Sequence, residues 1–280
     1  MKVDVMIVSK DRPTEIALLL QSLRTQTYKD FDIFIMDDRS GVPYQNYHFI
    51  NCLINQLKLE NHNVIIWRND IPYGVTRLRQ IMVEKILEYS NAEAILRLDD
   101  DNLLEPDYIE RLVKCLEQGY DIASGIVPPA GLGQIKRETK FVKPFISDVK
   151  LNEKGEIIHF GDECGFQYLE KEIIPTVSFR SMALIKREVH ENVKYEDNLG
   201  FCSFREEQFF SFRALLKNYS ICVDTGAIAW HLNTPSGGER TQNYYDGLQK
   251  NHELLNKFTQ KIYKEKGDFL EKYRRQFNIK

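Results

Sequence analysis

The chain has no Cys-x-x-Cys pair, no hydrophobic run of membrane-spanning length, and no glycine in its first loop, Ser9-Lys10-Asp11-Arg12-Pro13. Each absence removes a class of protein. Its five cysteines (Cys52, Cys115, Cys164, Cys202 and Cys222) are odd in number and widely spaced. They read as reduced thiols, neither a disulfide framework nor a zinc site. No apolar stretch approaches the roughly 18–20 residues needed to span a bilayer. The start, Met1-Lys2-Val3-Asp4, is too acidic and too briefly apolar for a signal peptide. These features lead to the expectation of a cytoplasmic protein, with peripheral membrane contact left open. The missing glycines argue against a nucleotide-binding loop of the phosphate-cradling kind. Excess charge is also lacking: 38 Lys and Arg face 41 Asp and Glu, a net charge of -3. Nothing overall draws the chain to nucleic acid or an anionic surface. Two local basic clusters keep nucleic acid open without favouring it: Lys136, Arg137, Lys140 and Lys143, then Lys272, Arg274, Arg275 and Lys280.

What is present centres on Leu98-Asp99-Asp100-Asp101-Asn102. An apolar run, Ala94-Ile95-Leu96, precedes three consecutive carboxylates. Charges that close repel, and desolvating them is costly. A dication is the usual remedy, and hard oxygen ligands suit Mg²⁺ or Mn²⁺ holding a substrate's phosphates. The alternative is a solvated acidic turn before the next helix.

The flanking pattern alternates strand and helix. Val3 to Ser9 is apolar enough for burial on both faces. Pro13 suits the first position of a helix carrying Ile16, Leu19, Leu20 and Leu23 on one face. A strand over Phe31 to Met36 ends at Asp37-Asp38-Arg39-Ser40-Gly41. A helix (45–59), a strand (63–68), a helix (74–89) and a strand (94–98) follow. Such βα repetition predicts a mostly parallel sheet with ligands beyond the carboxyl ends of its strands. Ser9, Asp37, Asp38, Arg68 and the three aspartates all fall there. Pro106 to Gln118 reads as helix and 121–127 as strand. From 130 to 174 the pattern weakens into an irregular, hairpin-bearing segment. Thr176 to Lys186 reads as one strand. Phe204 to Lys217 reads as a helix with Phe209, Phe212, Leu215 and Leu216 as its stripe. Ser220 to Val223 and Ala227 to Trp230 read as two short strands ending at His231. Asn233 to Arg240 reads as a loop, and 244–264 as a helix that Gly267 separates from a last short one.

This ordered set resembles the family-2 glycosyltransferases of the GT-A fold. The resemblance spans about residues 3–232 and rests on the Ser9 strand, Ser22-Leu23-Arg24-Thr25-Gln26-Thr27-Tyr28, and Ile35-Met36-Asp37-Asp38-Arg39-Ser40. Gly74 with Arg79, the Asp99-Asp100-Asp101-Asn102 block, Glu206-Glu207 and His231 complete it. It implies an α/β fold: a mostly parallel, Rossmann-like sheet flanked by helices, a smaller antiparallel acceptor-side sheet, and C-terminal helices. It divides the chain into a catalytic domain over 1–232 (nucleotide half 1–128, acceptor half 129–232) and an extension over 233–280. It implies a metal-dependent, inverting transfer of a sugar from a UDP-sugar to a hydroxyl. The acceptor class stays open among a glycan, a lipid-linked sugar, a protein and a hydroxylated DNA base.

The resemblance also assigns roles. Asp38 contacts the nucleobase, and Ser9 and Arg12 lie under the nucleotide. Arg79, with Arg77 as competitor, holds the triple-Asp segment or a phosphate. Asp101 contacts Mn²⁺ or Mg²⁺, Asp99 or Asp100 takes the ribose or supports the metal, and His231 is a further metal ligand. Arg240 pairs with the diphosphate from a lid. Glu207 is the base, six residues before Arg213, with Glu206 as the alternative; the family usually has Asp at the second acid. Asp162 and Glu163 rank lower, as acceptor-facing candidates. Rival classes are a nucleotidyltransferase and a non-catalytic sugar-nucleotide- or glycan-binding protein.

Overall fold

The computed structural model describes residues 1–128, 130, 149–160, 171–199, 203–234 and 242–279. The expectations for Arg240, Asp162, Glu163, Lys280 and the 136–143 basic cluster lie outside them. The elements begin β1 (Val3–Ser9), α1 (Pro13–Arg24), β2 (Phe31–Asp37), α2 (His48–Leu59), β3 (Val64–Arg68), α3 (Val75–Tyr89) and β4 (Ala94–Asp99). Then come β5 (Asn102–Leu104), α4 (Tyr108–Glu117), β6 (Ile122–Ile126), β7 (Val149–Leu151), β8 (Ile157–Phe160), β9 (Ile173–Pro175), β10 (Ala183–Lys186) and α5 (Arg187–Asn192). The chain closes with α6 (Glu206–Leu215), β11 (Ile221–His231), α7 (Gln242–Lys266) and α8 (Phe269–Gln276).

The main sheet runs β3-β2-β1-β4-β10-β6-β11-β5, with β9 also on β11. The first four strands are parallel, and β10 is antiparallel to both β4 and β6. β7 and β8 form a separate antiparallel hairpin. Strand alternation sends residues to opposite faces, and both faces are apolar. Val3, Val5, Ile7, Ile33 and Ile35 meet α1, α2 and α4. Met6, Val8, Phe34 and Met36 belong to the second core, with α3, α6 and the C-terminal pair α7–α8. This two-sided burial explains the near-continuous apolar strands. The C-terminal helices join that core through Leu255, Leu270 and Tyr273, whose hydroxyl accepts the Ile221 amide at 2.9 Å.

Pro13 stands at the first turn of α1, where its missing N–H costs nothing. The Ser22-to-Tyr28 stretch acts as a clamp. Buried Gln26 donates to the Glu105 carbonyl at 2.9 Å and accepts from the Ile109 amide at 3.1 Å. It fixes the chain between the triple-Asp segment and α4. Gly125 permits a close approach: a Cβ there would meet the Ala227 carbonyl oxygen at 2.3 Å.

One strand was not foreseen, and two expectations are corrected. Between the aspartates and α4 lies β5, antiparallel to β11, with Asn102 opposite His231. The strand expected over 176–186 is regular only at Ala183–Lys186, because Ser181 adopts a left-handed φ of 53° that ends the extended run. The two strands expected at 220–223 and 227–230 are one, β11, with a register shift between Val223 and Ile228. The polar Asp224-Thr225-Gly226 stretch stays in the sheet because Arg111 bonds Asp224 (3.1 Å) and lies across Gly226, where a Cβ would sit 2.0 Å from its Nη2.

His190 on α5 is fully buried beside Tyr195 and Phe210. Burial pushes its imidazole down to about 3, with Arg97 and Lys194 adding to the effect. The unfolded chain therefore takes up this proton first. The contribution is complete above the unfolded value near 6.5 and is lost as pH falls from there toward 3, at about 1.4 kcal/mol per unit. Urea unfolding at stepped pH should show this slope in the wild type and a flatter one in His190→Leu.

Candidate active site

The site forms where β1, β2 and β4 end, and alternation along β4 divides its charges. Arg97 and Asp99 share a face with Ile95, toward α3 and α6; Leu96 and Leu98 point the other way. Asp99 is bonded there by Arg79 of α3 and by the Ser181 hydroxyl. The other guanidinium nitrogen of Arg79 bonds Glu206 at the start of α6. Glu206, fully buried, also takes Arg97 at 3.2 Å, and Arg97 reaches Glu207 at 3.2 Å. The result is an unbroken alternation of charge, Asp99–Arg79–Glu206–Arg97–Glu207. Arg97 is itself fully buried, its guanidinium 5.5 Å from the Phe179 ring centre and 5.6 Å from that of Tyr195. Burial opposes its charge, but Glu206 and Glu207 outweigh that and raise its pKa. Burial likewise pushes Glu206 up, against the pull of the two arginines. Glu207 differs from Glu206 in access: its side chain is 19% exposed, against 0%.

Asp100 turns to the opposite side. It accepts from Ser9 Oγ at 2.6 Å and from Arg12 Nη1 at 2.7 Å. Tyr44 supports both, with its hydroxyl 2.6 Å from Ser9 Oγ and accepting the Arg12 amide at 3.2 Å. Burial drives the Asp100 carboxyl up to about 6 despite Arg12 and Ser9. Asp101 lies between the two sides, with Arg12 Nη1 at 3.1 Å and His231 Nε2 at 3.3 Å from its Oδ2. Burial would raise Asp101, but His231 and Arg12 hold it below the usual carboxylate range. The Asp101 contact in turn raises His231 above its ordinary value. The backbone fixes this meeting, since the Leu232 amide donates to the Asp101 carbonyl at 2.9 Å.

Asp38 closes the β3–α3 connection. It accepts from the amides of Tyr73 (3.0 Å) and Gly74 (3.1 Å) and from Asn69 Nδ2 (3.2 Å). Gly74 has φ 80°, a conformation that favours glycine, at the N-cap of α3. Three donors leave a carboxylate with about four acceptor sites one to spare. Arg77, the competitor of Arg79, points elsewhere, over the Tyr73 ring at 5.0 Å. Asp37 is taken by Arg68 and by the Ser40 amide (2.7 Å).

Asp101 and His231 therefore converge, with Asp100 beside them, while Asp99 is turned toward Arg79. Among the described residues no three metal-capable side chains form a group. Two protein ligands still fit Mg²⁺ or Mn²⁺, which commonly take few side chains and fill the rest with water and substrate phosphate. Sequence reading missed Tyr44, Arg97 and Ser181. Arg97 left a signal, as the only charge between Ala94 and Leu98. Tyr44 and Ser181 left none, because both arrive through the fold.

The sequence profile of glycosyl transferase family 2 matches residues 4–194. The chain belongs to that family. A family relative from Haemophilus influenzae, an "uncharacterized glycosyltransferase", is 28% identical over 121 residues, 42% of this chain and 35% of its own. The chain thus spans about a third of that relative. Staphylococcus aureus TarS 1–349, solved with UDP-GlcNAc, superposes with TM-score 0.57 at 13% identity, covering 88% of this chain and 64% of TarS 1–349. GalNAc-T7, solved with UDP, GalNAc and Mn²⁺, gives 0.62 at 14%, covering 100% of this chain and 55% of its own. The family-2 chain thus has the GT-A fold of these enzymes. No described helix is long and apolar enough to cross a membrane. In the C-terminal basic cluster, Arg274 donates to the Val149 carbonyl and Arg275 bonds Glu271 at 3.2 Å.

Removing one member of the buried charge chain strands the next. Arg97→Met should cost about 3–5 kcal/mol in urea unfolding, the usual penalty for an orphaned buried charge. An unchanged midpoint would show that Glu206 needs only Arg79.

Proposed function

We propose that this family-2 protein is a metal-dependent, inverting glycosyltransferase that moves a sugar from a UDP-sugar to a hydroxyl acceptor. The observation that carries the reading is the meeting of Asp101 with His231 at the carboxyl end of the sheet, beside Asp100 and Ser9. TarS and GalNAc-T7 support the donor class, having been solved with UDP-GlcNAc and with UDP, GalNAc and Mn²⁺.

In this reading Asp38 offers its spare lone pair to the N3–H of uracil, and the Ser9–Tyr44–Arg12 group forms the floor under the nucleotide. Asp101 and His231 would hold the Mn²⁺ or Mg²⁺. The ion, when bound, supplies positive charge to the leaving diphosphate. Arg12 now occupies an Asp101 oxygen, so it gives way or turns to a phosphate as the donor enters. Asp99 serves from behind, as an anchor tied to Arg79 rather than a ligand.

The base must reach the acceptor hydroxyl, which favours Glu207 over Glu206. Glu206 is sealed between two guanidiniums with no exposed surface. Glu207 keeps an open edge while Arg97 orients it from behind. The extra methylene of Glu, relative to the Asp usual in the family, is accommodated by that pairing. Glu207 takes the hydroxyl proton as the oxygen attacks C1 from the face opposite the leaving nucleotide, and the configuration inverts. Arg240, outside the described residues, stays a candidate for pairing with the diphosphate.

Thermal-shift screening of UDP-sugars with and without Mn²⁺ tests donor and metal together, and a Mn²⁺-dependent stabilisation is expected. In a transfer or donor-hydrolysis assay, Glu207→Gln should lower kcat by roughly 10²–10⁴-fold with KM for the donor little changed. Asp101→Asn should abolish the Mn²⁺ dependence of donor binding. Full activity in both variants would sink the mechanism.

A further inference from the structure

Most arginines at this end of the sheet already have a carboxylate: Arg12 has Asp100, Arg68 has Asp37, Arg79 has Asp99, and Arg97 has Glu206. Arg180 has none among the described residues, and its Nη1 is buried without an acceptor. A desolvated guanidinium nitrogen with nothing to donate to is unfavourable. The three aspartates nearby cannot relieve it. Asp99 is taken by Arg79 and Ser181, Asp100 by Ser9 and Arg12, and Asp101 by Arg12 and His231.

The backbone holds Arg180 in this position deliberately. Ala183 pairs with Arg97 across β10 and β4, so two residues earlier Ser181 reaches Asp99, and Arg180 comes level with the turn of the triple-Asp block. Ser181 has φ 53°, unusual for a residue with a side chain. The turn is pinned at both ends: Ser124 Oγ donates to the Met182 carbonyl at 2.8 Å, and the Ser181 hydroxyl bonds Asp99. Strain of this kind persists where the surroundings over-determine it, and it clusters at ligand clamps.

We propose that Arg180 binds the distal phosphate of the donor's nucleoside diphosphate. The inference rests on the donor reading above and adds a protein cation to the leaving group. A planar guanidinium matches two phosphate oxygens, and the phosphate supplies the acceptor that Nη1 lacks. In transfer, the C1–O bond to that phosphate breaks and the electron pair leaves on the phosphate oxygen. Arg180 faces the charge formed there and takes no proton.

Equilibrium binding of UDP, UMP and uridine, with and without Mn²⁺, tests this in wild type, Arg180→Gln and Arg180→Lys. Arg180→Gln should weaken UDP roughly 10- to 100-fold, the range for a lost charge-assisted phosphate contact, and leave UMP and uridine within about threefold. Arg180→Lys should fall between, retaining the charge without the fork. The ligand-free melting temperature of Arg180→Gln should match or exceed that of the wild type, because an unpaired cation is removed; a structural arginine would lower it. Undiminished UDP binding by Arg180→Gln would overturn the inference and leave the donor reading intact. So would equal losses for UDP and uridine, or a loss confined to UDP-glucuronate and absent with UDP-GlcNAc, which would assign Arg180 to a sugar carboxylate. A wild type that binds none of UDP, GDP, CDP and dTDP would overturn the donor reading, and this inference with it.

Discussion

Burying charge at the end of a parallel sheet is the constraint on which this molecule depends. β4 delivers three carboxylates into a region where both faces of the sheet are apolar. Each must find a cation or a hydroxyl, and each finds a different set. Asp99 turns to α3, Asp100 to the β1–α1 loop, and Asp101 to the end of β11. The three residues thereby fasten three separate parts of the chain to one point. Charge repulsion that would otherwise destabilise the segment is converted into positional information.

The same logic separates the two members of the acid pair on α6. The roughly 100° step between consecutive helical residues places Glu206 inward and Glu207 outward. Glu206 shares its charge with Arg79 and Arg97, so α3, β4 and α6 cannot shift independently. Glu207 inherits a fixed orientation from Arg97 while keeping contact with solvent. The buried and the accessible acid are thus joined through one fully buried arginine. A buried ion pair is not by itself strong evidence of stabilisation; here its value lies in fixing where the exposed acid stands.

β11 and β5 complete the site in a different way. The bulge in β11, held by Arg111 and Asp224, lets one strand serve β6 along part of its length and β5 at its end. That end carries His231. Without β5 the histidine would have no reason to meet Asp101, since 130 residues separate them in sequence. Gln26 performs the complementary task from the other side, tying α1 to the chain that leaves β5.

The sequence alone determined the local order of this protein. Apolar strands at 3–9, 31–36 and 94–98, and helices with apolar faces between them, are properties of short windows, where periodicity and burial coincide. It also marked where charge gathers, because Asp37-Asp38, Asp99-Asp100-Asp101 and Glu206-Glu207 are contiguous clusters. Tertiary structure decided what each charge faces. Nothing in the spacing of Asp99, Asp100 and Asp101 says that they turn toward three different parts of the chain; strand alternation and the turn after β4 do that. Nothing near Ser181 shows that a left-handed residue ends the strand and leaves Arg180 without a carboxylate among the described residues. Those outcomes depend on contacts between residues far apart in the chain, so they appear only once the sheet is assembled.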